Sequence, residues 1–108
     1  MVVATNIEGR PFDFLKWRLW LERRGEDLVA EGYETRYACT DQTSKPNTHL
    51  DAVSGNSGGY FTNWASGETD FAVLDLRSGQ NLADKMGLIV DDFSFEAVFE
   101  DFRKHLRP

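Results

Sequence analysis

The residues of this sequence best suited to nucleophilic chemistry are Cys39 and His49, which are ten positions apart across a polar loop. A catalytic thiol needs a neighbouring base, and the base needs a third group that orients it. A loop of this length could bring the thiol and the imidazole together, so a small hydrolase is one alternative. A free cysteine in a strand is more often an inert core residue. We therefore predict that the protein is not an enzyme.

Paired carboxylates are the second group that could do chemistry. Asp70 and Asp75 fall on opposite faces of a predicted strand and cannot form an acid/base pair unless the strand is bulged. Asp75 shares its face with Phe71 and Val73, so its carboxylate needs a hydrogen-bond or ionic partner, or else faces a binding surface. With one cysteine and two histidines in the chain, zinc sites of the Cys-rich type are excluded. No glycine-rich stretch matches a phosphate-binding loop, and we expect no cofactor and no metal.

The element that must position these side chains is a predicted β-hairpin. Tyr60–Trp64 and Thr69–Leu76 are rich in aromatic and β-branched residues, and residues 65–68 supply the turn. Gly67 can adopt the positive φ that such a loop needs. Because the second arm carries apolar residues on both faces, we expect a central strand that is covered at least partly on each side.

Helices are predicted before and after the strands. Two adjacent apolar stripes predict a helix over residues 12–31, with Pro11 suited to its first turn and Gly32 as its stop. The stripes consist of Phe12, Leu15 and Leu19, and of Phe14, Trp17 and Leu21. Residues 95–106 have apolar side chains at the spacing of an amphipathic helix, with Ser94 as the expected N-cap.

The remaining segments predict further strands and define the fold class. Strands are expected over residues 33–40 and 49–54. Residues 82–90 fit a strand or the start of a helix, and we favour a strand that is bulged near Gly87 because it extends an antiparallel meander. The class is α+β, with an N-terminal helix, an antiparallel sheet of four to five strands and a C-terminal helix packed on the sheet. A length of 108 residues predicts a single domain over residues 1–108.

The charge of the chain restricts the kinds of partner. The net charge is −6, and the acidic surplus lies mainly in residues 32–81. A negative field repels phosphate backbones and attracts basic partners, although solubility alone would also account for it. No apolar run approaches the roughly 20 residues of a membrane span. A lone cysteine and the absence of a signal-peptide pattern at the N-terminus predict the cytoplasm.

The hairpin also carries a residue pattern that resembles that of bacterial immunity proteins of contact-dependent growth inhibition, specifically the TriTu type. The pattern consists of Trp64, Ser66, Gly67, Glu68, Asp70, Val73, Leu74, Asp75 and Gly79. The layout outside the hairpin is similar: a first helix that ends at Gly32, a strand, a polar loop, Gly59 before the motif, and a short closing helix. Residues 85–90 depart from the pattern.

The resemblance implies a cytosolic inhibitor that binds the C-terminal domain of a toxin delivered by a neighbouring cell. Related toxins are transfer-RNA nucleases, and some act with elongation factor Tu, so a three-way complex is compatible with the resemblance. A nuclease presents Lys and Arg to phosphates, and an acidic binder can occupy the same surface. The alternative is an adaptor or scaffold domain that uses a different, apolar contact surface.

The candidate toxin-binding residues have the aromatic or charged side chains that are typical of interface hot spots. They are Trp64, Glu68, Asp70 and Asp75, with Asp41 and Asp51 as outer contributors. A strand tryptophan before a turn also suits core or cross-strand packing. If the motif specifies the fold instead, the toxin contacts are expected in residues 41–57 or at Asp91 and Asp92.

Overall fold

The computed structural model describes residues 4–41 and 44–108. Within these ranges the chain forms α1 (Phe14–Ala30), β1 (Glu34–Thr40), β2 (Asn47–Val53), β3 (Ser57–Trp64), β4 (Glu68–Asp75), β5 (Asn81–Ile89) and α2 (Phe95–His105). Each strand pairs antiparallel with the next one along the chain, which makes a five-stranded meander. The α+β prediction is confirmed. Neither helix of the described ranges is long and apolar enough to cross a membrane.

Both helices cover the same face of the sheet. Leu50, Phe61 and Phe71 lie in one cross-strand row and are fully buried. The ring of Phe61 lies 5.3 Å from that of Phe99 and 5.6 Å from that of Phe102, measured between centroids. The first helix contacts β1 and β2, and the second contacts β4 and β5. The helices and this face of the sheet therefore enclose one aromatic core.

The other face of the sheet, called the open face below, has no described helix over it. Leu74 on this face is 38% exposed, and Ala72 is half-buried. The prediction that the second arm of the hairpin is covered at least partly on each side holds on the open face only for the half-buried Asp70 and Ala72. Both helices pack against the side of β4 that carries Phe71 and Val73, so the apolar residues of its other side remain at the surface.

The first helix begins later than its sequence predicts. Asp13 is the N-cap, and its carboxylate accepts the Lys16 N–H at 3.1 Å. Pro11 lies outside the helix in an isolated bridge with Thr5, so its predicted place in the first turn is wrong. Gly32 follows the helix at a φ of +103°, which confirms it as the stop.

The buried side of α1 is narrower than predicted. Its buried positions are Trp17, Leu21, Gly25 and Leu28. Leu15 and Leu19 are 59% and 53% exposed, so only one of the two predicted stripes faces the sheet. A Cβ at Gly25 would lie 3.1 Å from the Leu50 Cδ1 atom. The glycine therefore lets the helix approach the sheet closely.

Residues 81–89 form a strand, as favoured from the sequence, and the strand is bulged. The register between β4 and β5 shifts between Thr69 and Phe71. Gly87 lies in the bulge at a φ of +70°, and its N–H donates to the Asp70 carboxylate at 2.7 Å. The predicted bulge near Gly87 is confirmed.

The start of α2 is held by Asp91. The Asp91 carboxylate accepts the N–H groups of Phe93 and Ser94, both at 2.8 Å. The Ser94 hydroxyl accepts the Asp91 N–H at 2.9 Å and makes no capping bond to the helix. Ser94 is therefore the N-cap residue, as predicted, but it caps α2 without a side-chain hydrogen bond. The Asp91 carboxylate orders the turn that precedes the helix.

Asp91 should make the stability of the protein sensitive to acid. Burial raises the pKa of Asp91, but the N–H groups of Phe93 and Ser94 and the Arg10 guanidinium, 3.2 Å away, hold it below the ordinary value of 3.8. A carboxyl group with a lowered pKa stabilises the fold above its unfolded pKa, and this contribution is lost as the pH falls through the folded-state value. We expect the free energy of unfolding to fall below about pH 3.8, and less steeply in Asp91→Asn.

Urea unfolding at about pH 5 and about pH 3 measures this difference. Glu26→Gln is a suitable control because the Glu26 side chain is exposed on α1, and it should keep the pH dependence of the parent protein. A pH dependence in Asp91→Asn equal to that of the parent would contradict the prediction.

Candidate functional site: the open face of the sheet

Four of the six candidate toxin-binding residues lie on the open face. They are Asp51, Trp64, Glu68 and Asp70. Each one alternates along its strand with residues that are buried under the helices, and successive side chains of a strand point to opposite faces. The register places Asp51 opposite Tyr60 and Asp70 opposite Thr62, so the carboxylates belong to a single continuous surface.

A cleft of about 650 Å³ occupies one end of the open face. Its walls include Trp64, Glu68, Asp70, Ile7, Lys45 and Pro46. Three of these residues belong to the hairpin motif, and the others come from the N-terminal segment and the β1–β2 connection. The cleft combines carboxylates and a cation with an indole ring and an aliphatic side chain. The aliphatic side chain is that of Ile7, which is 60% exposed and therefore open to contact. Such a mixed surface suits a protein partner.

Asp51 is held in a fixed polar row near the middle of the open face. The His49 Nε2 atom lies 2.7 Å from the Asp51 Oδ1 atom, and His49 Nδ1 lies 2.7 Å from the Thr62 Oγ1 atom. The imidazole also stacks on the Tyr60 ring at a centroid distance of 6.0 Å. A carboxylate that is already ordered loses less freedom when a partner binds. Sequence reasoning considered His49 only for catalysis, although its alternation with the apolar Leu50 could have placed it here.

The Cys39–His49 pair that a hydrolase would need does not form. The register sets Cys39 opposite Thr48 and Ala38 opposite His49, so the thiol and the imidazole lie on opposite faces of the sheet. The Cys39 thiol instead donates to the Tyr37 hydroxyl at 2.9 Å.

Asp75 lies on the helix-covered side and is engaged within the chain. Its carboxylate accepts the N–H groups of Arg77 at 2.8 Å and Ser78 at 3.1 Å, and it pairs with the Arg107 guanidinium at 3.2 Å. The Ser78 and Arg77 N–H groups, helped by Arg107, hold the pKa of Asp75 below its ordinary value. The prediction that this carboxylate needs a polar or ionic partner is confirmed. Asp75 closes the turn after β4 and ties the C-terminal residues to it.

The other predicted carboxylates also have partners inside the fold. Asp41, at the end of β1, forms an ion pair with Arg18 on α1 at 2.5 Å. The Asp92 carboxylate accepts the Trp17 indole N–H at 3.0 Å, and the Asp91 carboxylate accepts the N–H groups of Phe93 and Ser94 before α2. Asp41 and Asp92 thus contact α1, and Asp91 orders the turn before α2; their contact with a toxin stays a prediction.

The turn of the hairpin is clamped by hydrogen bonds from the N-terminal segment and from Val90, the residue after β5. Gly67 has a φ of +91°, and its carbonyl oxygen accepts the Val90 N–H at 2.9 Å. The Val90 carbonyl oxygen in turn accepts from the buried Asn6 amide at 2.9 Å, and the Ile7 N–H donates to the Ser66 carbonyl oxygen at 2.8 Å. The motif glycine therefore stabilises the turn, while Trp64 and Glu68 beside the turn lie on the open face. Sequence reasoning did not single out Asn6.

The fold is a small two-layer α+β domain with one open sheet face. Its helices are all on one side, and the other side presents ordered carboxylates beside aromatic rings. Among residues 4–41 and 44–108, no group of three or more His, Cys, Asp and Glu side chains could hold a metal ion.

The model of the family described as immunity protein TriTu matches residues 15–105. The chain therefore belongs to the TriTu family of immunity proteins, and the match extends the resemblance of the hairpin to nearly the whole sequence. A comparison with curated proteins found no match.

Proposed function

We propose that this protein neutralises a cognate toxin by binding the toxin's C-terminal nuclease domain one to one, in the cytoplasm and without turnover. Membership of an immunity family supports the toxin-neutralising role. The target that we propose is a transfer-RNA nuclease of contact-dependent growth inhibition, and elongation factor Tu would join the complex through the toxin. The observation that carries the proposal is the set of ordered carboxylates on the open face, away from the core.

The open face has the charge that a nuclease partner requires. By register its strands carry Glu34, Asp51, Glu68, Asp70 and Asp84 against Arg36. Lys45 adds one cation at the cleft, and the chain as a whole has a net charge of −6. A nuclease holds RNA with Lys and Arg, so its substrate surface is basic. A negative face can occupy that surface, and its field accelerates the encounter.

Inhibition of this kind needs no chemistry from the immunity protein. A face that covers the cations of the toxin excludes RNA from them by occupancy alone. The carboxylates are already fixed, Asp51 by His49 and Asp70 by the Gly87 N–H. The side-chain ordering that binding requires is therefore reduced.

Reversing charge on the open face tests the proposal. The double variant Glu68→Lys, Asp70→Lys should slow association with the toxin domain encoded beside this gene by about tenfold or more at low salt. The difference should shrink as salt is added, because exposed charges are screened. Stopped-flow or biosensor measurements of the association rate give the result, and thermal unfolding verifies that the variant is folded.

A control with the same change in net charge separates a local effect from a global one. Glu22 and Glu26 are exposed on α1, which lies across the sheet from the open face. Glu22→Lys, Glu26→Lys should bind much faster than the open-face variant. Equal slowing in both variants, or no slowing in either, would place the toxin contacts elsewhere.

The proposed three-way complex has its own readout. Size-exclusion chromatography of the immunity protein with the toxin domain should show elongation factor Tu eluting with the pair. Separate elution of elongation factor Tu would remove that part of the proposal and leave toxin binding intact.

A further inference from the structure

The open face contains an apolar depression at the end away from the Trp64 cleft. This depression, called the notch below, has a volume of about 410 Å³ and lies over Gly58. Its walls are Val53, Leu74 and Leu76, which are 43%, 38% and 47% exposed. Val53 and Leu74 are the direct cross-strand neighbours of Gly58. A strand position without a side chain therefore separates two aliphatic walls.

The fold itself does not require glycine at position 58. A Cβ there would lie 3.8 Å from Leu76 and 3.9 Å from Val53, which are ordinary contact distances, and Gly58 does not have a positive φ. At Gly59, by contrast, a Cβ would lie 2.8 Å from a carbonyl oxygen of β4 and 3.0 Å from the Phe102 ring. Glycine inside a strand weakens it. Gly59 thus serves the core, whereas the effect of Gly58 is to keep the notch empty.

We propose that the notch is the anchor subsite of the toxin interface, which receives one aliphatic or aromatic side chain of the cognate toxin domain. The inference rests on the proposed function and adds to it the chemistry of the contact. Besides charged residues, interface hot spots include aromatic or aliphatic anchors that fill desolvated pockets. The notch offers such a pocket on the same surface as the carboxylates.

Charge identifies the toxin as the occupant in preference to a second copy of this chain. Asp51 borders the notch, and Glu68 and Asp70 lie farther along the same face. Two copies placed face to face would bring these carboxylates together, which is unfavourable, while a basic partner would pair with them.

The notch and the carboxylates should act on different rate constants. Charges at an interface mainly change the association rate, whereas buried apolar contacts mainly change the dissociation rate. A substitution in the notch should therefore shorten the lifetime of the complex and leave the salt dependence of association unchanged. This behaviour differs from that expected for Glu68→Lys, Asp70→Lys.

Filling the notch tests the inference. Gly58→Leu should retain the thermal stability of the parent protein, because a Cβ at position 58 meets only ordinary contacts and the rest of the side chain can extend into the notch. Its affinity for the toxin domain should fall by about tenfold or more, mainly through faster dissociation. Ala97→Leu is the control, since Ala97 is exposed on α2 on the other side of the sheet, and it should bind like the parent protein.

A second variant removes a wall without adding bulk. Leu76→Ser should also speed dissociation, so that distortion by a larger residue at position 58 cannot explain the result. Unchanged dissociation in both variants would overturn the inference while leaving toxin binding in place. Loss of self-association in Gly58→Leu with unchanged toxin binding would also overturn it, because the occupant would then be a second copy. Failure of the parent protein to bind the toxin would overturn the proposed function itself.

Discussion

Gly67→Ala is expected to lower the free energy of unfolding by about 3 kcal/mol. An L-residue at a φ of +91° is strained, and the added Cβ would lie 2.7 Å from the Asn6 Cβ atom and 2.8 Å from the Val90 carbonyl oxygen. Both neighbours belong to the clamp that holds the turn, so neither can move freely. A loss of about 1 kcal/mol lowers the melting temperature of a domain of this size by about 4–8 °C. Calorimetry should therefore show a melting temperature that is lower by roughly 12–24 °C.

Gly79 provides a matched control for this prediction. It also has a positive φ, +74°, but a Cβ there would meet nothing within 4 Å. Gly79→Ala should therefore cost only the conformational strain, about 1–2 kcal/mol. Equal losses in the two variants would show that the clamp around Gly67 adds nothing. Because the turn separates Trp64 from Glu68, we also expect Gly67→Ala to weaken toxin binding and Gly79→Ala to preserve it.

Phe61→Ala is the second change with a large expected effect, a loss of about 3–5 kcal/mol. The ring is fully buried and contacts four other rings, with centroid distances of 5.3–6.2 Å. Those rings belong to β4 and α2, so the cavity would lie where the sheet and the second helix meet. Domains of this size are stable by only about 5–15 kcal/mol, and urea unfolding should show a much lower midpoint.

Phe93 is the control for phenylalanine removal, because its side chain is 86% exposed. Phe93→Ala should change the free energy of unfolding by no more than about 0.5 kcal/mol. A small loss in Phe61→Ala, comparable to that of the control, would mean that the core repacks around the missing ring.

The elements with strong local signals were predictable from the sequence. The spacing of apolar residues over 95–106 belongs to one helix and needs no knowledge of the rest of the chain. The same holds for Gly67, whose positive φ follows from the length of the hairpin loop. The bulge at Gly87 was predictable because a glycine interrupts an otherwise regular strand pattern.

Features that depend on tertiary packing were not predictable in this way. Leu15 and Leu19 have the spacing of a buried stripe, yet the helix turns another side to the sheet. The coverage of β4 depended on both helices packing on one face, which the alternation of its residues does not encode. At the start of α2, Ser94 occupies the predicted N-cap position, but its hydroxyl accepts the Asp91 N–H instead of a helix N–H, which depends on the path of the backbone.

Part of the candidate site was predictable because successive side chains of a strand alternate between the two faces of the sheet. Asp70 and Asp75 are five positions apart, an odd number, so this alternation predicts opposite faces, and the structure places them there. The partner of Asp75, Arg107, is distant in sequence and could not be inferred. Gly58 lies between the predicted strands 49–54 and 60–64, whereas the structure includes it in β3, so the notch could not be inferred from the sequence.

The separation of the open face from the core has a consequence for how such a protein can evolve. Surface substitutions away from special contacts change stability by only about 0.5 kcal/mol. Residues that face solvent across the sheet from Phe61 can therefore diversify with little penalty to the scaffold. A lineage could acquire selectivity for a new rival on one side of the sheet while the other side preserves the architecture.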